Sequence, residues 1–563
     1  MKILGISAYY HDSSAAIVMD GEVKVAISEE RLSRIKHDNG FPILACDWCL
    51  NYCGLTLEDI DAVVFYEKPF LKFERIIENS IFNAPKSIVH FLKAMPQWIG
   101  GKLNMRHLIK SQLKKLNKGL PKKILFTEHH LAHAAFGYYT SGLTNAAILV
   151  IDAVGEKATT SFYKGEGKHL TLIKEQNYPN SLGLLYSAFT QFLGFRVNSD
   201  EYKVMGLAPY GDCNATQTHV FIDIIGKTLV RELPDGGITL NMSYFDFSYR
   251  QRMINPRKWE KLFGIPYREP GTEILQSHRN LAYAIQHFTN KIGQRLASAL
   301  KKETGATDLV ICGGCALNCV MNGVIQRSNI FNSVFVPIEP GDAGCAIGAA
   351  LVLDPQLKPI SPFLGPEYSV SSIKEALTEY HLKFEEYSEE ELLSKSANLI
   401  NQGYIVGWFQ GRLEFGPRAL GNRSILADCR NANMKDKINR SVKFREPFRP
   451  FAPIVCEEDA FQYFGLRHSP YMMFTSNVMV DTVPAITHVD NTARPQSVSI
   501  DDNPRLYKLI KEYAKITGIP VMLNTSFNVM GEPIVCSPND AIHTFVNSGI
   551  DVLVIDNIVI FKD

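Results

Sequence analysis

No apolar run in this chain reaches the roughly 18 residues that a membrane span needs, so no transmembrane segment is expected. The start, MKILGISAYYHDSS, has neither a long apolar stretch nor a small-residue cleavage site, and no signal peptide is expected there. There is no charge excess either. A net charge of +1 over 563 residues argues against a general nucleic-acid binder, which would carry a basic surplus. Nor is there a disulfide pattern: the 11 cysteines are scattered, as reduced thiols in a cytoplasmic protein would be. Two of their groupings need separate accounts. Cys46, Cys49 and Cys53 lie in a helix-like segment where cysteine serves as a small apolar residue. Cys312, Cys315 and Cys319 lie in CGGCALNC, whose glycines suit a nucleotide better than a metal cluster.

What is present is the composition of a globular enzyme, 46% hydrophobic and 21% charged, in a chain too long for one core. The segment TEHHLAHAAFGYYTSG organises it. His129 and His133 are four apart in an Ala-rich helical stretch, so both imidazoles fall on one face and can share a divalent metal. AAILVID follows as a short buried strand with Asp152 at its carboxyl end, where α/β folds place ligands. Two histidines and a strand-end carboxylate make a three-ligand site with open positions, and ordinary core histidines are the alternative.

The chain opens as strand, polar loop, strand, a turn at Asp20-Gly21, and strand. Its loop holds Tyr10, His11, Asp12, Ser13 and Ser14, and in a sugar-kinase-like fold would cradle phosphate. DAVGEKATTSFYKGEG repeats that plan, as a duplicated ATPase-type fold would. Residues 69–123 read as a helical insertion whose Arg106, Lys110, Lys114, Lys115, Lys118, Lys122 and Lys123 have no acidic partner nearby in sequence. That basic face suits an acidic acceptor or an anionic lipid surface, or is simply solvated. EYKVMGLAPYG reads as a Gly/Pro-broken loop. Leu281, Ile285, Phe288, Ile292 and Leu296 mark an amphipathic helix ending at Gly305. DLVICGGCALN and VFVPIEPGDAG each run from strand into glycine turn and helix, where a phosphate or polar ligand can approach. Asp342, in the second, is a fourth metal ligand or a nucleotide-anchoring acid.

A Pro/Gly-rich stretch from Asp354 marks a boundary between domains at 1–355 and 369–563. Capping boxes are expected at Ser372/Glu375 and Ser388/Glu391. Beyond them Arg412, Arg418, Arg423, Lys443, Arg445 and Arg449 are interleaved with Gly, Pro and aromatics, a pattern suited to gripping phosphate or carboxylate. Asn524, Thr525, Ser526, Phe527 and Asn528 form a hydroxyl/amide cluster for oxygen-rich ligands.

The motifs YYHDSSAAIV, EHHLAHAA, EYKVMGLAPYG, CGGCALN, FGPRALGNRSILAD and NTSFN, in this order along nearly the whole chain, resemble the O-carbamoyltransferases of nodulation-factor and antibiotic biosynthesis, the NodU/CmcH/TobZ family. The resemblance implies an α/β protein: an actin/sugar-kinase-like (ASKHA) duplicated N-terminal domain followed by a YrdC-like C-terminal domain. It implies that the C-terminal domain makes carbamoyl adenylate from carbamoyl phosphate and ATP, and that the N-terminal domain transfers the carbamoyl group to a hydroxyl of a small-molecule or glycan acceptor. By the same resemblance His129, His133, Asp152 and Asp342 are metal ligands, for Fe2+ first and Mn2+ or Mg2+ as alternatives. His11 is the active-site histidine of transfer. Glu201, Gly313, Gly314 and Asn318 hold the adenosine part, and Arg418, Lys443, Arg449, Ser526 and Asn528 grip carbamoyl phosphate and nucleotide. The insertion is assigned to acceptor contact. No nucleic-acid partner is expected, and the oligomeric state is left open. The competing readings are a threonylcarbamoyl-type transferase acting on tRNA, an actin-like ATPase, and a sugar kinase that would release ADP.

Overall fold

The computed structural model describes residues 1–562; Asp563, the last residue of the expected second domain, lies outside them. The chain forms two compact units, one of residues 1–26 and 39–360, the other of 27–38 and 361–563.

The first unit contains the same sheet twice. Strands β1 (Lys2–Ser7), β2 (Ser14–Met19), β3 (Glu22–Ser28), β4 (Ala62–Phe65) and β5 (Ile124–Phe126) are ordered β3-β2-β1-β4-β5. Strands β6 (Asn145–Ile151), β7 (Ala158–Glu166) and β8 (His169–Asn177) begin the second sheet, a small hairpin of β9 (Val230–Glu232) and β10 (Ile238–Leu240) intervenes, and β11 (Asp308–Cys312) and β12 (Ser333–Phe335) complete it as β8-β7-β6-β11-β12. Each half opens antiparallel (β1 on β2, β6 on β7) and continues parallel (β4 on β1, β11 on β6). Apolar runs such as AAILVI are buried along their whole length because helices cover the sheets. The duplication expected from the two β-turn-β openings is therefore present strand for strand.

Between the sheets lies the histidine helix, His129–Ser141, packed on the helix Cys345–Leu353. Small residues make that packing close. A Cβ on Gly348 would stand 1.9 Å from the Ala132 carbonyl oxygen, and one on Gly5 of β1 would stand 1.8 Å from that of Ala346.

The second unit is built on an eight-stranded mixed sheet. Its strands are β13 (Glu385–Glu386), β14 (Val406–Phe409), β15 (Arg423–Ala427), β16 (Ala452–Cys456), β19 (Gln496–Val498), β20 (Val521–Ser526), β21 (Val552–Ile555) and β22 (Ile558–Phe561), with a separate hairpin of β17 (Ser476–Asn477) and β18 (Thr492–Ala493). The segment 27–38 belongs here: Arg31 donates to the Gly416 carbonyl at 2.8 Å, and Arg34 to those of Ile534 at 2.7 Å and Pro533 at 3.1 Å. Contiguous sequence boundaries do not include that segment.

Several local expectations change. EYKVMGL is a helix, Glu201–Leu207, followed by a 3-10 turn, not a loop; Pro209 opens that turn, where proline needs no amide hydrogen. The helix over Val370–Glu379 is capped by Ser369, whose side chain accepts from the Ser372 amide, whereas Ser388/Glu391 forms the capping box expected. The insertion is helical as read, but Lys118 pairs with Asp47 at 2.6 Å and Lys122 with Asp61 at 2.7 Å. Among the described residues, no helix is long and apolar enough to cross a membrane.

Candidate functional site

His129 opens its helix and His133 lies one turn further on, so the two rings stand one above the other. The Nε2 atoms of the two rings lie 3.1 Å apart. Asp152, the first residue after β6, brings Oδ2 to 3.2 Å from His129 Nε2. Asp342, in the 3-10 turn that leads into the helix Cys345–Leu353, brings Oδ1 to 3.6 Å and 3.5 Å from the two histidines. All four side chains are buried, and their ligand atoms lie within 4.8 Å of one another. The third histidine of the box points away: His130 Nδ1 bonds Ser161 Oγ at 2.6 Å, and burial holds its pKa well below 6.5.

The electrostatics of this cluster call for a cation. Burial opposes the charged imidazole, yet Asp342 and Asp152 push the His129 pKa up to about 9. Asp152, despite burial, is held well below the usual carboxylate range by His129. Asp342 Oδ2 is buried with no hydrogen-bond partner. Two imidazoles and two carboxylates thus share one dry spot with an unspent acceptor, a donor set that fits a divalent transition ion better than magnesium.

Residues not singled out by sequence reading hold the cluster in place. Glu156 is buried at the amino end of the histidine helix, accepting from the His129 amide at 3.0 Å and the Lys68 amide at 2.8 Å. A carboxylate there complements the helix dipole, although burial raises its pKa. Tyr66 sets its ring edge-on to His129 at 5.2 Å. Arg75, from the insertion, donates to the Gly155 carbonyl at 2.6 Å. The acid in DAVGEK was a visible signal for Glu156; nothing local marked Tyr66 or Arg75.

His11 lies on the loop between β1 and β2. Its Nδ1 bonds Asp12 Oδ2 at 2.8 Å and its Nε2 bonds the Asn198 carbonyl at 2.7 Å. Tyr9 and Asn198 both have positive φ (74° and 60°), backbone strain of the kind that gathers at functional loops. Burial opposes the imidazolium, but Asp12 and the Asn198 carbonyl raise the His11 pKa to about 10. With both nitrogens facing acceptors the ring is charged at neutral pH, so the expected base is held here as an acid. The serines expected to line a phosphate loop are spent on carbonyls, Ser13 Oγ on Gly40 and Ser14 Oγ on Ala343.

Of the expected nucleotide residues, Gly314 donates its amide to Asp152 Oδ1 at 3.1 Å. Gly313 has φ +86°, and a Cβ there would stand 2.3 Å from the Ile151 carbonyl oxygen, so only glycine fits. Glu201 accepts from Ser187 Oγ at 2.8 Å and the Asn198 amide at 2.9 Å. Asn318 caps the helix Cys319–Arg327 and exchanges hydrogen bonds with Gln286.

In the second unit, Lys443, Ser526 and Asn528 come together. The buried Lys443 Nζ donates to the Asn528 carbonyl at 2.9 Å, its Oδ1 at 2.8 Å and Ser526 Oγ at 3.2 Å, and also to the Ser526 carbonyl. Burial, with the charges of Arg445, Arg449 and Lys36, drives its pKa well below 10.5. Lys443 ends a π-helical turn, and Phe444 after it has φ 47°, again local strain at a candidate site. Arg418 sits half-buried on the connection 410–422, which Glu414 organises by accepting from the amides of Leu420, Asn422 and Arg423 at 2.8–3.0 Å. Arg423 is a correction: it is fully buried 3.5 Å from the Phe409 ring centre and donates to the carbonyls of Gln410 and Asn422, a core residue and not a phosphate grip. Arg412 likewise donates to the carbonyls of Leu364 and Gly365.

Comparison with known proteins completes the description. Residues 2–351 match the family model "Carbamoyltransferase N-terminus" and residues 397–562 the model "Carbamoyltransferase C-terminus". The chain is 42% identical over 601 aligned residues to an uncharacterized protein of Synechocystis, covering 100% of this chain and 96% of that one. It is 37% identical to Nodulation protein NolNO of Sinorhizobium fredii, covering 99% of this chain and 80% of the relative. Nodulation protein U of the same species is 37% identical, with 94% of each chain covered.

Proposed function

The chain belongs to the carbamoyltransferase family, and from that membership we propose an ATP-dependent O-carbamoyltransferase that works through carbamoyl adenylate. The observation that carries the reading is the match of both family halves to the two units, each of which gathers its own set of candidate residues.

In the second unit, carbamoyl phosphate is hydrolysed to carbamate and phosphate; a carbamate oxygen then attacks the α-phosphorus of ATP, and pyrophosphate leaves. Both substrates are polyanions, so bringing them together needs fixed cations. Lys443 is held by Ser526 and Asn528, Arg449 adds its charge to that site, and Arg418 is presented by the Glu414-organised loop. Burial and its cationic neighbours lower the Lys443 pKa, and an anion bound beside it would offset both and hold the ammonium charged.

In the first unit, an acceptor hydroxyl attacks the carbamoyl carbon and AMP leaves with the bonding electron pair. His129, His133, Asp152 and Asp342 would hold a divalent ion, iron(II) by preference or manganese, which when bound supplies positive charge for the leaving phosphate. Glu201, Gly313, Gly314 and Asn318 would hold the adenosine part. His11, oriented by Asp12, takes the acceptor proton once its Nε2 has given up its own proton and left the Asn198 carbonyl. The acceptor is a hydroxyl-bearing small molecule or glycan.

The division of labour is tested by two variants. His11→Asn is expected to lower transfer by about 10²-fold or more while leaving pyrophosphate release from ATP and carbamoyl phosphate intact. Lys443→Ala is expected to stop both. Loss of pyrophosphate release in the His11 variant would sink the two-site scheme.

A further inference from the structure

The helices Pro69–Phe82 and Ile88–Ile99 of the insertion meet at a corner that is apolar where it faces solvent. Phe82 is 86% exposed, Ile81 69%, Val89 65% and Leu92 64%. Such a cluster is uncommon on a monomer surface and marks an interaction site. It is not a frayed end. Phe73 and Trp98 pack the two helices together at 5.6 Å, and Met95 and Trp98 are buried beneath the exposed row.

Much of the turn between the helices is hydrogen-bonded internally. The amides of Asn83, Ala84, Ser87 and Ile88 bond the carbonyls of Asn79, Ile81, Asn83 and Pro85, and Ser87 Oγ donates to the Ser80 carbonyl. Each amide already bonded within the turn lowers the cost of leaving water.

The insertion that carries this corner is basic. Residues 79–123 contain nine lysines, one arginine and no aspartate or glutamate, in a chain whose net charge is only +1. Lys86 and Lys93 are exposed at the corner itself. On the helix Met105–Lys114, the buried Met105, Ile109 and Leu113 turn Arg106, Lys110 and Lys114 outward at four-residue spacing. Arg106 and Lys110 also line a cavity of about 290 Å³ with Lys122 and Lys123. Among the described residues, Arg106, Lys110, Lys114 and Lys123 have no carboxylate partner in an ion pair, whereas Lys118 and Lys122 do.

We propose that this insertion docks the enzyme on the surface of an anionic phospholipid bilayer, the corner at Ile81, Phe82, Val89 and Leu92 entering the headgroup region and the lysines and arginine meeting lipid phosphates. Exposed apolar side chains on a basic helical segment are the chemistry of interfacial binding. A nucleic acid would need the same charge but aromatic stacking platforms in place of isoleucine, valine and leucine. The four cations that line the cavity suit the phosphate of a headgroup.

The test is sedimentation of the full-length protein with phosphatidylcholine vesicles, with and without phosphatidylglycerol. Binding is expected only to the anionic vesicles, and raised ionic strength should release it. The triple variant Phe82→Ser/Val89→Ser/Leu92→Ser and the double variant Arg106→Glu/Lys110→Glu should each weaken binding about tenfold or more, with unchanged unfolding temperature. The substituted side chains are exposed, so folding is not at stake. Absence of binding to anionic vesicles, or binding that both variants retain, overturns the proposal. Retention on single-stranded RNA that depends on Arg106 and Lys110 but not on Phe82 would also overturn it, giving the surface to nucleic acid.

Discussion

His11 donates from both ring nitrogens, and that fixes how its chemistry must depend on pH. Its pKa is raised from 6.5 to about 10, against burial and chiefly by Asp12. The sign follows directly. The stabilisation its charged form gives the fold is complete below about 6.5 and is lost as pH rises through about 10. The basic form needed for transfer grows over the same window. With carbamoyl adenylate supplied, kcat/KM for transfer is expected to climb from pH 7 toward 10. In Asp12→Asn the rise should move toward 6.5, with a lower plateau because the ring has lost its orienting partner. A flat profile in the wild type would remove His11 from proton transfer. Residue type made His11 a candidate from the sequence, but its charge state was not legible, because Asn198 lies 187 positions away.

Between elements, small residues decide where the candidate metal ligands stand. Gly348 lets the helix Cys345–Leu353 approach the histidine helix closely, and Asp342 lies in the turn just before that helix. Gly348→Val would force the helices apart. We expect a loss of about 1–3 kcal/mol of stability by denaturant unfolding, together with a lower content of bound metal by elemental analysis. His133→Ala should lose the metal by removing a ligand, without the packing cost. If Gly348→Val unfolds more easily but binds metal as the wild type does, the packing does not set the position of Asp342. Much at this scale was readable: short apolar runs ending in Asp152, or in the glycines after Cys312, announce strand ends, and the four-residue histidine spacing announces a shared face. Glycine and proline were read too strongly as breakers in EYKVMGLAPYG, where Gly206 is carried inside a helix and Pro209 starts a turn. The arginines misled for a related reason. Arg423 alternates with glycine and aromatics as a phosphate grip would, yet the ring beneath it and the carbonyls around it make it part of the core.

For the whole molecule, the order of the motifs carried both the family and the doubled sheet. Segment 27–38 was assigned by the sequence to the first domain, because nothing local records that Arg31 and Arg34 bond carbonyls about 385 and 500 positions on. Its Lys36 adds to the field around Lys443, so the second unit draws on residues from both ends of the chain. In the proposed scheme this unit activates carbamate before any acceptor is involved. The direct measurement is incubation of the purified, metal-loaded full-length protein with ATP and carbamoyl phosphate in the absence of acceptor, followed by assay of pyrophosphate, carbamoyl adenylate and ADP. Pyrophosphate and carbamoyl adenylate are expected, formed only when carbamoyl phosphate is present. Formation of ADP in their place, or of no product at all, would contradict it.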